Sequence, residues 1–223
     1  MLTGAACLFC KRRSRDTVRP YICRSCLSRL PFRRQSNRVS FQSLALTLPD
    51  HVNREVICPF YYTGAIRENL LIMKFGGSWH PSRALGPLMA EAVLRRGICA
   101  DIIVPVPLHK KRLQSRGFNQ AERLAAMLGR TMSRPVRADL LVRTLETPPQ
   151  SEAPDLASRF RQVLSAFELS GEADGTGTVL LVDDVLTTGA TLYAAARVLA
   201  ALNRPVQAVV CATNQGKPVI PDR

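Results

Sequence analysis

The sequence predicts an α/β fold: a mainly parallel sheet with helices on both faces, preceded by a small cysteine-rich unit. Three observations lead to this prediction. An aliphatic run ends in Asp183 and Asp184, and a polar loop and an Ala-rich stretch follow. An earlier aliphatic run, residues 101–106, precedes a basic segment. Four early cysteines form two pairs. Continuous aliphatic runs are typical of strands buried on both faces, so the first two observations favour a parallel sheet.

The two cysteine pairs come first in the chain. Two residues separate Cys7 from Cys10 and Cys23 from Cys26, and twelve residues separate the pairs. Four thiolates at this spacing can surround one zinc ion, and the basic segment between the pairs has no core of its own. A redox-active pair is the alternative, but one such pair does not account for two. We therefore expect structural zinc on these four cysteines.

Positive charge is concentrated at the beginning of the chain. Residues 1–58 hold eleven Lys and Arg against three acidic residues, a net charge of +8. Such a segment is suited to a nucleic-acid backbone, whereas its few aromatic residues support base stacking only weakly. We predict a zinc-ribbon and basic connector over residues 1–55 and a second domain over residues 56–223.

The whole chain of 223 residues has a formal net charge of +14. This charge indicates anionic partners: nucleic acid, a phosphorylated substrate, or both. A basic surface that serves only solubility is the alternative. No apolar run is long enough to span a membrane, and we expect a cytoplasmic protein. Its seven cysteines are then expected to be reduced thiols or metal ligands.

Hydrophobic patterns predict the elements of the second domain. In chain order they are a strand, two helices, a buried strand and a last strand, at residues 56–62, 64–75, from 81, 101–106 and 205–212. Residues 144–158, rich in Pro, Ser and Glu, are expected to form a mobile loop. The basic segment after residue 106 contains Lys110, Lys111, Arg112 and Arg116. A basic loop there is placed to hold an anion, and a solvated loop is the alternative.

The stretch from residue 178 to residue 192 carries the strongest functional signal. After the acid pair come Thr187, Thr188, Gly189, Ala190 and Thr191, and then a helix. The first amides of a helix lack intrahelical partners and attract anions, the glycine permits close backbone approach, and the hydroxyls add donors. This loop is therefore suited to a phosphate. The carboxylates would repel that phosphate but suit a vicinal diol, and together the two parts describe a phosphorylated ribose.

Two alternatives use the same stretch differently. One is a buried strand with a capped helix and no ligand. The other is a Walker B strand, but that needs a G-x-x-x-x-G-K-[ST] loop, which this sequence lacks. In the ligand-binding interpretation we expect both carboxylates to reach solvent and to need no partner within the protein.

The strand, the two acids and TTGAT resemble the phosphoribosyl pyrophosphate (PRPP) loop of type I phosphoribosyltransferases. The run VPVPLHKKRLQSRGFNQAERLA, with Lys74-Phe75 and Arg143-Thr144, narrows the resemblance to the ComF family of competence-associated proteins. It implies a type I phosphoribosyltransferase-like fold that binds PRPP with Mg²⁺. It also implies a role in DNA uptake during natural transformation, with single-stranded DNA and a helicase-like protein as partners.

The resemblance also implies roles for individual residues. The acid pair, which is also the catalytic pair, would hold the ribose hydroxyls, and Thr187 to Thr191 the 5′-phosphate. The pyrophosphate loop would contain Val106, Pro107, Arg112 and Arg116. A flexible loop that closes over the ligand would contain or adjoin Arg143, Gln150 and Arg159. Two departures are the absence of a second cysteine pair in residues 27–57 and Gln162 in place of an asparagine.

Three kinds of function stay open at this point. The protein is a transferase of unidentified acceptor, a nucleic-acid or partner-protein binding module without turnover, or a regulator that senses PRPP. No aromatic residue follows Ala212 to stack on a purine, so ordinary base salvage is disfavoured. The favoured interpretation is a PRPP-binding protein that acts in DNA uptake, with catalysis left open.

Overall fold

The elements of the fold come from a computed structural model, which describes residues 6–13, 16–19, 21–33, 38–40, 48–145, 163 and 165–216. The strands are β1 (Thr17–Arg19), β2 (Ile22–Cys23), β3 (Arg38–Ser40), β4 (Val52–Ile57), β5 (Phe60–Tyr61), β6 (Ala100–Pro105), β7 (Leu141–Arg143), β8 (Phe167–Leu169), β9 (Thr178–Leu186) and β10 (Val206–Thr213). The helices are α1 (Arg24–Ser28), α2 (Gly64–Phe75), α3 (Ser82–Leu94), α4 (Lys110–Arg116), α5 (Gln120–Met132) and α6 (Ala190–Leu199). Across these described ranges, no helix combines the length and the apolar character that a membrane crossing requires.

Strand β9 lies between β10 and β6 in the main sheet. The strand order is β3-β4-β10-β9-β6, and β5 pairs with the end of β10. Val182 of β9 is in parallel register with Val209 of β10 and with Pro105 of β6. Strand β3 is antiparallel to β4. The predicted mainly parallel sheet is confirmed.

Both faces of β9 are buried, as its aliphatic run predicts. Val179 and Leu181 pack on the side of the sheet that α6 covers. Leu180 and Val182 pack on the opposite side, against residues of α2, α3 and α5. Because burial of each such side chain contributes about 1.5–3 kcal/mol, the strand is fixed from both sides. Helices therefore cover both faces, which confirms the predicted fold class.

The end of β9 differs from the prediction. The strand was expected to finish at the acid pair, but it stays paired with β10 as far as Leu186, opposite Thr213. Asp183 and Asp184 therefore lie inside the strand, so neighbouring strands and helices can contact them. The Ala-rich helix begins at Ala190, closer to the acids than expected.

Two further segments differ from expectation. The basic residues expected in a loop form α4, which Gly117 ends with a left-handed φ of 77°. Strand β4 begins at Val52 and so spans the boundary placed between residues 55 and 56. By contrast, α2 has the predicted bounds, Gly64–Phe75.

The cysteine-rich unit packs against the sheet next to β5. The rings of Phe32 and Phe60 lie 4.9 Å apart, and the amide of Tyr61 donates to the carbonyl oxygen of Pro31 over 2.9 Å. The Arg83 guanidinium lies 4.1 Å from the centre of the Tyr21 ring. Because β5 pairs with the end of β10, the unit adjoins the same edge of the sheet as the acid pair.

Strands β7 and β8 form a separate antiparallel pair. The segment between them includes the predicted mobile loop, and Arg143 is the last residue of β7. Gln150, Arg159 and Gln162 lie outside the described residues.

Candidate ligand-binding site

The acid pair is bound to a lysine from another element. Lys74, in the last turn of α2, places its Nζ 2.9 Å from Oδ2 of Asp184. Their side chains are 22% and 13% exposed, so the ion pair is largely withdrawn from water. The amide of Asp184 donates to Oδ1 of Asp183 over 2.8 Å. The expectation that neither carboxylate needs an internal partner was therefore wrong, because the extended β9 brings Asp184 against α2.

The environment shifts the pKa values of this group. Burial alone would lower the pKa of Lys74, but the carboxylate of Asp184 outweighs it and raises that pKa. Loss of hydration, and then the charge of Asp184, raise the pKa of Asp183 to about 7. Near neutral pH Asp183 is therefore partly protonated beside a charged Lys74–Asp184 pair. The group of Lys74, Asp184 and protonated Asp183 thus holds little net charge by itself and gains negative charge as Asp183 ionises.

This protonation predicts a pH-dependent stability. An unfolded aspartate titrates near pH 3.9, whereas folded Asp183 keeps its proton to about pH 7, so the folded state binds more protons between these values. Protonated Asp183 therefore stabilises the folded state in acid, and the free energy of unfolding falls as the pH rises towards 7. We expect the stability of Asp183→Asn relative to the parent to rise between pH 5 and pH 8, by at most about 3 kcal/mol.

Urea unfolding of both proteins at several pH values measures this difference. Asp174→Asn, at an exposed carboxyl, is the matched control and should show no such trend. A constant difference between Asp183→Asn and the parent across this pH range would contradict the assignment.

The loop after β9 has the form of an anion site. Thr187 and Thr188 are exposed, and Gly189 caps α6 with a left-handed φ of 86°, a conformation that favours glycine. The loop is held from β10: the hydroxyl of Thr213 donates to the carbonyl oxygen of Leu186 over 2.8 Å. Ten-residue α6 directs its N-terminal amides and the positive end of its dipole to this loop, where the amide of Ala190 donates to Oγ1 of Thr188 over 3.4 Å.

The residues predicted to meet pyrophosphate lie just after β6 and in α4. Val106 is buried, and its amide donates to the carbonyl oxygen of Val182 in β9 over 2.8 Å. Pro107 follows it. Burial lowers the pKa of Arg116, the charge of Asp184 opposes this effect, and Arg112 adds to it. The structure thus brings the β6 exit, α4 and the acid pair to one place.

The RGFNQ segment fixes the relative positions of these parts. Gln120 donates from Nε2 to the carbonyl oxygen of Met73 and accepts from Nη1 of Arg116, each over 2.9 Å. Asn119 caps α5 and donates from Nδ2 to the carbonyl oxygen of Val106 over 2.9 Å. Since Met73 precedes Lys74, these bonds tie the lysine, α4 and the β6 exit together.

Arg143 approaches the same site from β7. Its Cζ lies 5.3 Å from the centre of the Phe167 ring. Burial and then the charge of Arg112 lower the pKa of Arg143, whereas the charge of Asp183 raises it. Arg143 is therefore near both the acids and the basic helix, beside the segment predicted to close.

The four early cysteines form a second candidate site. The Sγ atoms of Cys7, Cys10, Cys23 and Cys26 all lie within 4.8 Å of one another, and those of Cys10 and Cys23 are 3.9 Å apart. A tetrahedral zinc with Zn–S bonds of about 2.3 Å requires S–S distances of about 3.8 Å. The backbone amide of Arg12 is the main cause that lowers the pKa of Cys10 to about 6, which favours the thiolate. The cluster therefore fits a metal ion such as zinc.

Sequence reasoning assigned no role to Lys74 or to its neighbour Phe75. A lysine in the last turn of a helix is ordinarily explained by the helix dipole. The partner of Lys74 lies on a strand far along the chain, so only the topology identifies it.

Solved structures similar to this chain include phosphoribosyltransferases. An adenine phosphoribosyltransferase from Leishmania donovani is 14% identical, with 86% of this chain and 94% of that one covered and a TM-score of 0.42. An orotate phosphoribosyltransferase from Aeropyrum pernix is 18% identical, with 73% and 69% covered and a TM-score of 0.38. Both superpositions are too loose for a comparison of individual residues. No family model matches the chain.

Curated relatives are proteins of competence and DNA utilization. "Competence protein ComFC" of Bacillus subtilis is 37% identical over 98 residues, 44% of this chain and 38% of that protein. "Competence protein F" of Haemophilus influenzae is 34% identical over 101 residues, 44% of each. "DNA utilization protein YhgH" of Salmonella typhi is 33% identical over 134 residues, 57% of each. The chain thus matches about 40–60% of the length of these relatives. The predicted resemblance to ComF proteins is confirmed.

Proposed function

We propose that the protein binds PRPP at the end of β9 and acts in DNA uptake and processing during natural transformation. One observation carries the first part: Asp183 and Asp184 lie near the end of β9, one short loop before the glycine-capped N-terminus of α6, with cations from three other elements around them. Hydroxyl donors suit the acids, and a phosphate suits the helix terminus. The names of the relatives support the second part.

Each part of PRPP has a matching group in this site. The acids accept hydrogen bonds from the ribose hydroxyls, and residues 187–191 hold the 5′-phosphate. The pyrophosphate meets Arg112 and Arg116, and Arg143 stands at the entrance to the closing segment. Mg²⁺ would enter with PRPP and neutralise phosphate charge, with Asp183 and Asp184 as the nearby carboxylates. Lys74 keeps Asp184 oriented until the ligand binds.

The four cysteines hold structural zinc in this proposal. Ile22 and Leu30 join the core beside the sheet, but the segment that carries the cysteines has no core of its own, so the metal is the main source of its local stability. Thiolate ligands persist in a reducing compartment, and we place the protein in the cytoplasm for this reason.

Thermal unfolding with added PRPP tests the first part. A ligand that binds only the folded state raises Tm as its concentration increases. We expect PRPP with Mg²⁺ to raise Tm progressively, and an equal concentration of ATP with Mg²⁺ to raise it much less. An equal response to both, or none to PRPP, would contradict a PRPP site.

A second candidate function is nucleic-acid binding without turnover. A cavity at the cysteine cluster is lined by three arginines and one acid, and the acid, Asp16, pairs with Arg24. Arg12 and Arg13 leave the lining positively charged, which favours contact with phosphates. Affinity for single-stranded DNA would then fall steeply between low and moderate salt and would depend little on sequence. A helicase-like partner protein would fit this binding function. The remaining alternative is a transferase, which would turn over PRPP with an unidentified acceptor. Pyrophosphate release from PRPP during incubation with single-stranded DNA would separate transfer from binding alone.

A further inference from the structure

A large aromatic side chain is exposed at the edge of the acid pair. Phe75 is 76% exposed, the highest value among the exposed large hydrophobic side chains of the described residues. Single exposed hydrophobic residues are common and need no explanation. Phe75 differs in position, because it directly follows Lys74, whose ammonium contacts Asp184. Its ring also lies 5.6 Å from Cζ of Arg116, whose pKa the charge of Asp184 affects, and so stands next to the proposed PRPP site.

The backbone beneath the ring is held firmly. Gln120 binds the carbonyl oxygen of Met73, and the amide of Gly76 donates to Ile72 over 2.8 Å. The α2 helix ends here, and Gly77 follows with φ 63°. An aromatic ring on such a fixed helix end is presented in one place and loses little freedom on contact with a ligand.

A cation lies against the same ring. The Cζ of Arg116 is 5.6 Å from the centre of the Phe75 ring, and its Nη1 donates to Gln120. An aromatic face beside a guanidinium is the combination that binds the bases and phosphates of single-stranded nucleic acids. Arg112 on the same helix extends the positive charge.

We propose that Phe75 and Arg116 form a stacking platform for an unpaired nucleobase of a single-stranded nucleic acid, beside the ribose end of bound PRPP. Because the ring of Phe75 is exposed and not enclosed in a pocket, a nucleic-acid strand is a better ligand for it than a free base. A free base needs an enclosed pocket, whereas a strand is also held by its phosphates, and the chain carries a net charge of +14. This inference rests on the proposed function for its neighbour, PRPP, but the platform is testable without PRPP.

The test compares a twelve-nucleotide oligo-dT with an abasic phosphodiester of the same length, in fluorescence anisotropy with the full chain. The parent should bind oligo-dT more tightly by roughly five- to a hundredfold, the range expected for one stacked base. Phe75→Leu keeps an apolar side chain but removes the ring, and should abolish this preference. Phe75→Trp should retain it.

Leu94→Ala is the matched control, since Leu94 is 52% exposed at the end of α3, which leads to the opposite edge of the sheet. It should leave the preference unchanged. A parent that binds both oligomers equally, or neither, overturns the platform, as does Phe75→Leu with the parental preference. If thymidine monophosphate binds as tightly as oligo-dT, the proposal that the platform binds a nucleic-acid strand is wrong.

PRPP titrations of the same preparations separate the two proposals. We expect Phe75→Leu to bind PRPP with parental affinity. If the parent binds PRPP but shows no preference for oligo-dT over the abasic oligomer, the platform is wrong and the proposed PRPP site is unaffected. If the parent shows this preference but does not bind PRPP, the PRPP site is wrong and the platform is unaffected.

Discussion

Cys7→Ser is expected to release the metal and unfold the cysteine-rich unit while the sheet stays folded. Cys7 is fully buried, and its Sγ accepts from the amide of Cys23 over 3.5 Å. Structural zinc contributes apparent binding energies on the order of 10–16 kcal/mol in small zinc-dependent units, far more than the few apolar residues here can replace. The contacts of Phe32 and Tyr21 with the sheet should loosen together with the unit.

Elemental analysis and hydrogen exchange measure this outcome. The parent should carry about one zinc per chain, and the variant should carry none. Amides in residues 6–33 should lose protection in the variant, whereas those of β9 and β10 should keep it. Cys99→Ser is the matched control, because Cys99 is an exposed cysteine outside the cluster. Stoichiometric zinc in Cys7→Ser, with unchanged protection, would show that the cluster is not the metal site.

Replacing Asp183 and Asp184 together by asparagine should weaken PRPP binding by on the order of a hundredfold or more. Hydrogen bonds to charged groups contribute about 1.5–3 kcal/mol each, and two are weakened. The sequence alone suggested that this change would cost little stability. The structure predicts a cost from Asp184→Asn, because it leaves Lys74 without its carboxylate, and breaking such a pair is destabilising. Near neutral pH the gain expected from Asp183→Asn offsets part of this cost.

A compensating variant separates binding from stability. Lys74→Met with both asparagine substitutions removes the unpaired cation, so it should recover part of the lost stability and still fail to bind PRPP. Recovery of PRPP affinity in this variant would mean that the acids act through Lys74 and do not contact the ribose.

Local patterns predicted most of the framework. The bounds of α2, the burial of β9 on both faces and the cysteine cluster follow from residue periodicity and spacing, which operate over short distances along the chain. The end of β9 could not be predicted from these patterns, because its last residues stay in the strand through pairing with β10. Position in the sheet outweighed the polar character of the acids.

The electrostatic interactions of the site could be predicted only once the topology of the fold was known. Lys74 meets Asp184 only because α2 packs beside the end of β9, and no spacing rule relates a helix end to a distant strand. The elevated pKa of Asp183 has the same origin, since it depends on lost hydration and on the neighbouring charge. Phe75 counted towards the resemblance but was given no role, because a phenylalanine at the end of an amphipathic helix ordinarily belongs to the core. Only its exposure indicates another role.

Calorimetric titration of the intact protein with PRPP in the presence of Mg²⁺ tests the central claim most directly. We predict saturable binding with one site per chain, lost in the Asp183→Asn, Asp184→Asn variant and stronger at pH 8 than at pH 6, because Asp183 accepts hydrogen bonds best once it is ionised. Absence of binding by the folded parent at both pH values, or undiminished binding by the double variant, would contradict the assignment of this site to PRPP.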